Sequence, residues 1–214
     1  MAEVTAIYYT ANWEEPAFEQ RIREALIAEL GGRPLVSCSQ KPLPGFGLNS
    51  CVGEHEGGLQ SIYRQMLTAA HAAETEWVAT VEDDSLYPPG YFDHDPGETD
   101  FWMYANVWRL RRGSRRYIPL GLSDGWLYAR RDRLVAALEM RLRRHPGFGP
   151  DKVKRPLDPS DCATFDVGPG LSVKTGHSYH SDIGKHLDGV PAELALPHWG
   201  QAAELHDRLF AEAM

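Results

Sequence analysis

Within its first 84 residues the chain alternates three β-type runs with two helical ones, an order that few folds accommodate. Thr5-Ala6-Ile7-Tyr8-Tyr9-Thr10 is β-branched and aromatic and stops at Ala11-Asn12, as a buried strand ending in a polar turn does. Pro16 opens a segment in which Phe18, Ile22, Leu26 and Leu30 recur every four residues up to Gly31-Gly32, the pattern of an amphipathic helix. Pro34 to Ser39 reads as a second strand, and Gln40 to Gly58 as a long Gly- and Pro-containing loop of the kind that serves as a lid or binding loop. Leu59 to Ala73 is helical again, and Trp77-Val78-Ala79-Thr80-Val81 supplies the third strand. This order implies a parallel sheet with crossover helices, and hence an α/β class with a Rossmann-like βαβαβ half.

The third strand runs into Glu82-Asp83-Asp84. Three adjacent carboxylates repel one another, so a fold that gathers them at the end of a buried strand needs a compensating charge, most simply a divalent cation. An all-oxygen ligand set suits Mg²⁺ or Mn²⁺, which keep positions open for a substrate's phosphates. The alternative is a solvated acidic turn. Ligands of parallel sheets bind beyond the carboxyl ends of the strands. That rule groups the Thr10-Ala11-Asn12 turn, the 40–58 loop and the triplet around one crevice.

Beyond Pro88-Pro89 the alternation stops. Phe101 to Trp108, Tyr117 to Leu120 and Gly125 to Ala129 read as strands that extend the sheet with antiparallel partners, and Arg131 to Arg144 as a helix. The rest is rich in Pro, Gly, His and Asp, with a helical pattern only over Gln201 to Ala213. Trp102, Tyr104, Trp108 and Trp126 fit core packing better than sugar stacking.

A net charge of −8 argues against a broad nucleic-acid surface, although arginines crowd the third quarter from Arg109 to Arg144. Cys38, Cys51 and Cys162 lack CxxC spacing, so neither a zinc site nor a disulfide framework is indicated. With no signal-like N-terminus and no run long enough to span a membrane, the expectation is a cytoplasmic protein without a membrane partner.

A βαβαβ half ending in an acidic triplet and followed by a mixed-strand half resembles the GT-A glycosyltransferases. Tyr9-Thr10-Ala11-Asn12 is similar to the nucleotide-binding turn of family two enzymes, Glu82-Asp83-Asp84 to their metal triplet, and Trp126 to Arg131 to the segment before their acceptor-side helix. Ser37 to Pro42, Ser61 to Gln65 and Pro197-His198-Trp199-Gly200 are similar to stand-alone enzymes of bacteria and bacteriophages.

The resemblance implies one GT-A-like domain over 1–214, with a nucleotide-sugar half at 1–86 and an acceptor half at 87–214. It implies a nucleotide-sugar donor and Mn²⁺ or Mg²⁺ held by Asp84 and Glu82, with Asp83 reaching the metal through water or the sugar. Many such enzymes add a C-terminal ligand, for which His177 is the first candidate and His180 the second. Thr10, Ala11 and Asn12 would meet the nucleoside, Gln40 stands where an acidic residue usually reads the base, and Lys41 and Arg64 are the cations for the phosphates. The usual Glu-Asp pair of the catalytic base is missing after the helix at 131–144, which leaves Asp124, Asp161 and Asp166 as candidates. The acceptor stays open: a small molecule, a glycan or a modified DNA base. A sugar-1-phosphate nucleotidyltransferase and a non-catalytic metal- or nucleotide-binding module are the alternatives.

Overall fold

The computed structural model describes residues 3–55, 58–123, 125–145, 157–177 and 191–211. Strand β1 (Val4–Thr10) is buried along its whole length, as a central strand covered on both faces must be. Helix α1 (Pro16–Leu30) starts with proline in its first turn, where no N–H is needed, and closes on Gly31 in the left-handed region at φ 58°. β2 (Leu35–Ser39), α2 (Leu59–Ala72) and β4 (Trp77–Glu82) follow the expected order. β2 and β4 both pair with β1 in parallel.

The 40–58 segment is not a plain loop. Leu48–Cys51 forms β3, an edge strand parallel to β2. Its side chains are half-buried or exposed, so it lacks the apolar alternation by which strands are recognised. Gly47 admits it: at φ +64° a side chain here would lie 2.2 Å from the Leu35 carbonyl oxygen.

The expected strand from Phe101 to Trp108 is two strands in different sheets. β6 (Phe101–Tyr104) joins the main sheet; after a break at Ala105-Asn106, β7 (Val107–Arg111) enters a second one. The main sheet runs β10 (Ala163–Phe165), β6, β9 (Leu127–Arg130), β4, β1, β2, β3, with β9 antiparallel to both β4 and β6. The second runs β5 (Ser85–Leu86), β11 (Gly170–Lys174), β7, β8 (Tyr117–Gly121). A short hairpin of β12 (Ala195–Leu196) and β13 (Gly200–Gln201) precedes α4 (Ala202–Leu209), which is shorter than the expected 201–213 helix. The expected mixed α/β architecture therefore holds, with β7 and β8 assigned to the smaller sheet.

Alternate residues of β1 feed opposite layers. Tyr8 packs with Leu26 and Leu30 of α1; Ile7 and Tyr9 pack with Met66 and Ala70 of α2 and Leu138 of α3 (Arg131–Arg144). A third cluster joins Phe18 and Ile22 of α1 to Leu171 and Val173 of β11 and Leu205 of α4. The strand β11 thereby reaches the carboxyl ends of β1 and β4. No helix among the described residues is long and apolar enough to cross a membrane.

Candidate active site

A cleft opens at the carboxyl ends of β1 and β4, lined by Thr10, Ala11, Trp13, Glu14, Gln65, Glu82, Asp83, Asp84, Lys174 and His177 among others. Its floor is the triplet. Glu82 ends β4, Asp83 and Asp84 form a two-residue turn, and the chain re-enters a strand at Ser85. That reversal spreads the three carboxylates into different surroundings.

Asp84 is buried and accepts a hydrogen bond from the Lys174 ammonium, Nζ to Oδ2 at 2.6 Å, while Ser85 Oγ donates to its Oδ1 at 3.3 Å. The pairing is prepared by the backbone, because the Val173 N–H donates to the Asp84 carbonyl at 2.6 Å. Burial works against the Lys174 ammonium, but the charges of Asp84 and Glu82 outweigh it and hold its pKa above that of an ordinary lysine. Asp83 accepts from the Thr10 hydroxyl; burial, and then the Asp84 charge, push its pKa well above the carboxylate range. Glu82 accepts from the Tyr9 hydroxyl at 3.4 Å, and the Gly125 backbone lies so near that a Cβ there would sit 2.4 Å from its carboxylate.

Glu14 is a fourth carboxyl, and sequence reasoning passed over it. It is only 6% exposed, its Oε1 accepts from the Thr175 hydroxyl at 2.9 Å, and its Oε2 is buried without a hydrogen-bond partner. Burial, against the Thr175 hydrogen bond and with a further push from Asp84, raises its pKa to about 7. No local pattern marks it, since its hydrogen-bond partner, Thr175, lies just past β11, at the far end of the chain. Lys174 was missed for the same reason. Trp13 follows the turn that Asn12 makes at φ 55°; the residue is 46% exposed and lines the cleft.

The other expected residues divide. Thr10, Ala11 and His177 line the cleft with the triplet; His177 is exposed, its backbone N–H tied to Thr175 Oγ1 at 3.1 Å. Asn12 and Gln40 support the cleft without lining it. Asn12 Oδ1 accepts from the Lys41 N–H at 2.8 Å, and Gln40 is buried against His55 at 3.0 Å. Gln65, unforeseen, donates to the Thr10 carbonyl at 2.8 Å and fixes that turn from α2. Lys41 is exposed beside Glu54, and Arg64 is exposed on α2; neither belongs to the lining. Asp161 is exposed in a short 3₁₀ turn, and Asp166 accepts from Asn106 and from the Gly168 N–H, both away from the cleft. Asp124 and His180 lie outside the described residues.

The donor set suits a hard divalent cation: carboxylate oxygens throughout, one of them, Glu14 Oε2, buried and unpartnered in the same cleft. In the arrangement described, with Lys174 on Asp84 and Thr10 on Asp83, no three His, Cys, Asp or Glu side chains among the described residues are grouped to hold an ion.

No family profile and no curated protein matches the sequence. Among solved structures, the fold is similar to the apo-form glycosyltransferase GlyE of Streptococcus pneumoniae, at 10% identity and a TM-score of 0.45 over 77% of this chain and 45% of that one. It is similar to the mannosyltransferase PcManGT of Pyrobaculum calidifontis in complex with GDP-Man and Mn²⁺, at 15% and 0.48 over 84% of this chain and 59% of that one. A third is glucosyl-3-phosphoglycerate synthase of Mycobacterium tuberculosis with Mn²⁺ and UDP-glucose, at 11% and 0.46 over 80% and 71%. The chain thus spans less than half of the first of these and under two thirds of the second.

Proposed function

We propose that the chain is a GT-A-type glycosyltransferase that takes a sugar from a nucleoside-diphosphate donor bound in this cleft. The observation that carries the reading is the meeting of Glu82, Asp83 and Asp84 with the Thr10 turn and Lys174 at the carboxyl ends of parallel strands. A bare diphosphate would be repelled by the carboxylates of Asp84 and Glu82, and more strongly once Asp83 and Glu14 lose their protons, so the cleft calls for a divalent cation, Mn²⁺ or Mg²⁺. Asp84 would hold it, with Glu82 and Glu14 of the same lining drawn in as further ligands when it binds, and it would then stabilise the charge that builds on the departing diphosphate. Lys174 adds a second positive charge to the same oxygens. Thr10, positioned by Gln65, orients the donor side, and Trp13 offers an aromatic face to the nucleoside base or the sugar.

Incubation with a panel of sugar nucleotides, with and without Mn²⁺, tests the reading. Donor hydrolysis that depends on Asp84 is expected, with Asp84→Asn lowering it on the order of 10³-fold. No turnover of any donor in either condition would leave a non-catalytic binding module, and pyrophosphate release from a nucleoside triphosphate with a sugar phosphate would indicate the nucleotidyltransferase.

A modified DNA base as acceptor rests on the arginine-rich third quarter and the bacteriophage resemblance. Several of those arginines are already engaged: Arg112 with Glu15, Arg115 with Asp207, and Arg130 and Arg133 with Asp100. A small-molecule or glycan acceptor is therefore favoured. Salt-sensitive DNA binding lost on charge reversal at Arg111 and Arg116 would restore the nucleic-acid acceptor.

A further inference from the structure

We infer that Lys174 is an exchangeable counter-ion: its ammonium holds Asp84 until a divalent cation takes that carboxylate, and the donor's diphosphate then receives the displaced ammonium. The inference rests on the transferase reading for the identity of the diphosphate, but its structural part concerns Asp84 alone.

Both Asp84 oxygens are engaged, Oδ2 by Lys174 at 2.6 Å and Oδ1 by Ser85 at 3.3 Å, and the two charged side chains are only 5% and 13% exposed. A cation ligated by Asp84 would face the ammonium across one buried carboxylate, and like charges so placed repel strongly where water is scarce. Asp84 has lone pairs for both but only one negative charge, so the ammonium and the cation compete for it. The lysine cannot retreat with its backbone either, because β11 is anchored beside Asp84 by the Val173 N–H and is paired with β5 and β7. What can move is the four-carbon stem, whose head already lines the cleft. Leaving Asp84 without a new acceptor would strand a largely buried ammonium, a costly state. Diphosphate oxygens are acceptors of the right charge. The cation and the diphosphate therefore bind cooperatively: each makes room or compensation for the other, and by linkage the coupling is mutual.

The consequence is that removing the positive charge that holds a ligating oxygen strengthens binding of a metal ion. In Mn²⁺ titrations of the full chain followed by electron paramagnetic resonance, Lys174→Met is expected to bind Mn²⁺ alone at least about tenfold more tightly than the wild type, and Asp84→Asn to lose that binding. Lys174→Met binding Mn²⁺ no more tightly than wild type would overturn the inference. A second measurement needs no variant: the ¹⁵Nζ resonance of a buried, paired lysine should be visible in the wild-type protein and lose its protection on addition of Mg²⁺. Persistence of that resonance at saturating Mg²⁺ would equally overturn it. If metal binding behaves as described but no sugar nucleotide is turned over, the exchange stands and the transferase reading falls. If donors are turned over without metal and neither protein binds Mn²⁺, the transferase stands and the exchange falls.

Discussion

Two buried regions adjoin in this molecule and are built on opposite terms. Around Trp126, the rings of Tyr87, Tyr91, Tyr104 and Phe165 pack with centroids 4.3 to 5.6 Å apart, and the Trp126 Nε1 and the Tyr91 and Tyr128 hydroxyls find no hydrogen-bond partner among the described residues. The cleft next to it gathers charged side chains, and Glu82, Asp83, Asp84 and Lys174 each have a partner that a ligand could replace. In the first region burial of apolar area supplies the stability and unmet polar groups are tolerated. In the second, stability is subordinate to pairs that can be exchanged. Polar groups held by replaceable partners, rather than abundance of aromatic rings, therefore distinguish the working surface from the core here.

The largest effect expected from that contrast is on the aromatic side. Trp126→Ala should lower the unfolding free energy by about 4 kcal/mol in urea melts, while cation binding at the cleft, measured where the variant is folded, stays unchanged. A loss of binding that exceeds the folded fraction would erase the distinction.

Two glycines sharpen it at the border. A Cβ on Gly170 would meet the Trp126 ring at 2.4 Å, and one on Gly125 would meet the Glu82 carboxylate at 2.4 Å. Neither has positive φ, so alanine tests contact alone. Gly170→Ala should cost about 1–3 kcal/mol of stability with little change in turnover. Gly125→Ala, meeting the end of a flexible side chain, should leave the melting transition nearly in place but reduce donor turnover about tenfold by displacing Glu82. The same readout moving in both variants would count against two separate regions.

The last effect is a pH dependence. The folded pKa of Glu14, about 7, lies above the ordinary 4.5, so the folded form holds the proton more tightly than the unfolded chain. That contribution to stability is fully present below about 4.5 and is lost as the pH rises through 7. Chelator-treated protein should therefore lose stability across that window, and Glu14→Gln should flatten this part of the profile. An unchanged slope in Glu14→Gln would show that its Oε2 meets water.

Periodicity made β1, α1, α2, β4 and α3 legible, because each buries a regular face. β3 escaped it as an exposed edge. The 101–108 run misled because Ala105-Asn106, which lets the chain pass from one sheet to the other, has no strong turn signature. β11 did carry a signal: Leu171 and Val173 alternate with Ser172 and Lys174. Around the cleft, Thr10, Glu82, Asp83 and Asp84 were legible because they lie at the ends of neighbouring parallel strands, whose carboxyl ends gather ligands. Glu14 and Lys174 were not, since the bond from Thr175 to Glu14 spans 161 positions of the chain. The aromatic most exposed to the cleft, Trp13, belonged to no cluster in the sequence and so drew no attention.

The backbone bond between Val173 and Asp84 sets Lys174 beside its carboxylate irrespective of how either side chain is chosen. Positions 84 and 174 are thus a compensating pair: in related chains a neutral residue at 174 should accompany a change at 84, and substitution records at the two sites should be correlated although 90 positions separate them.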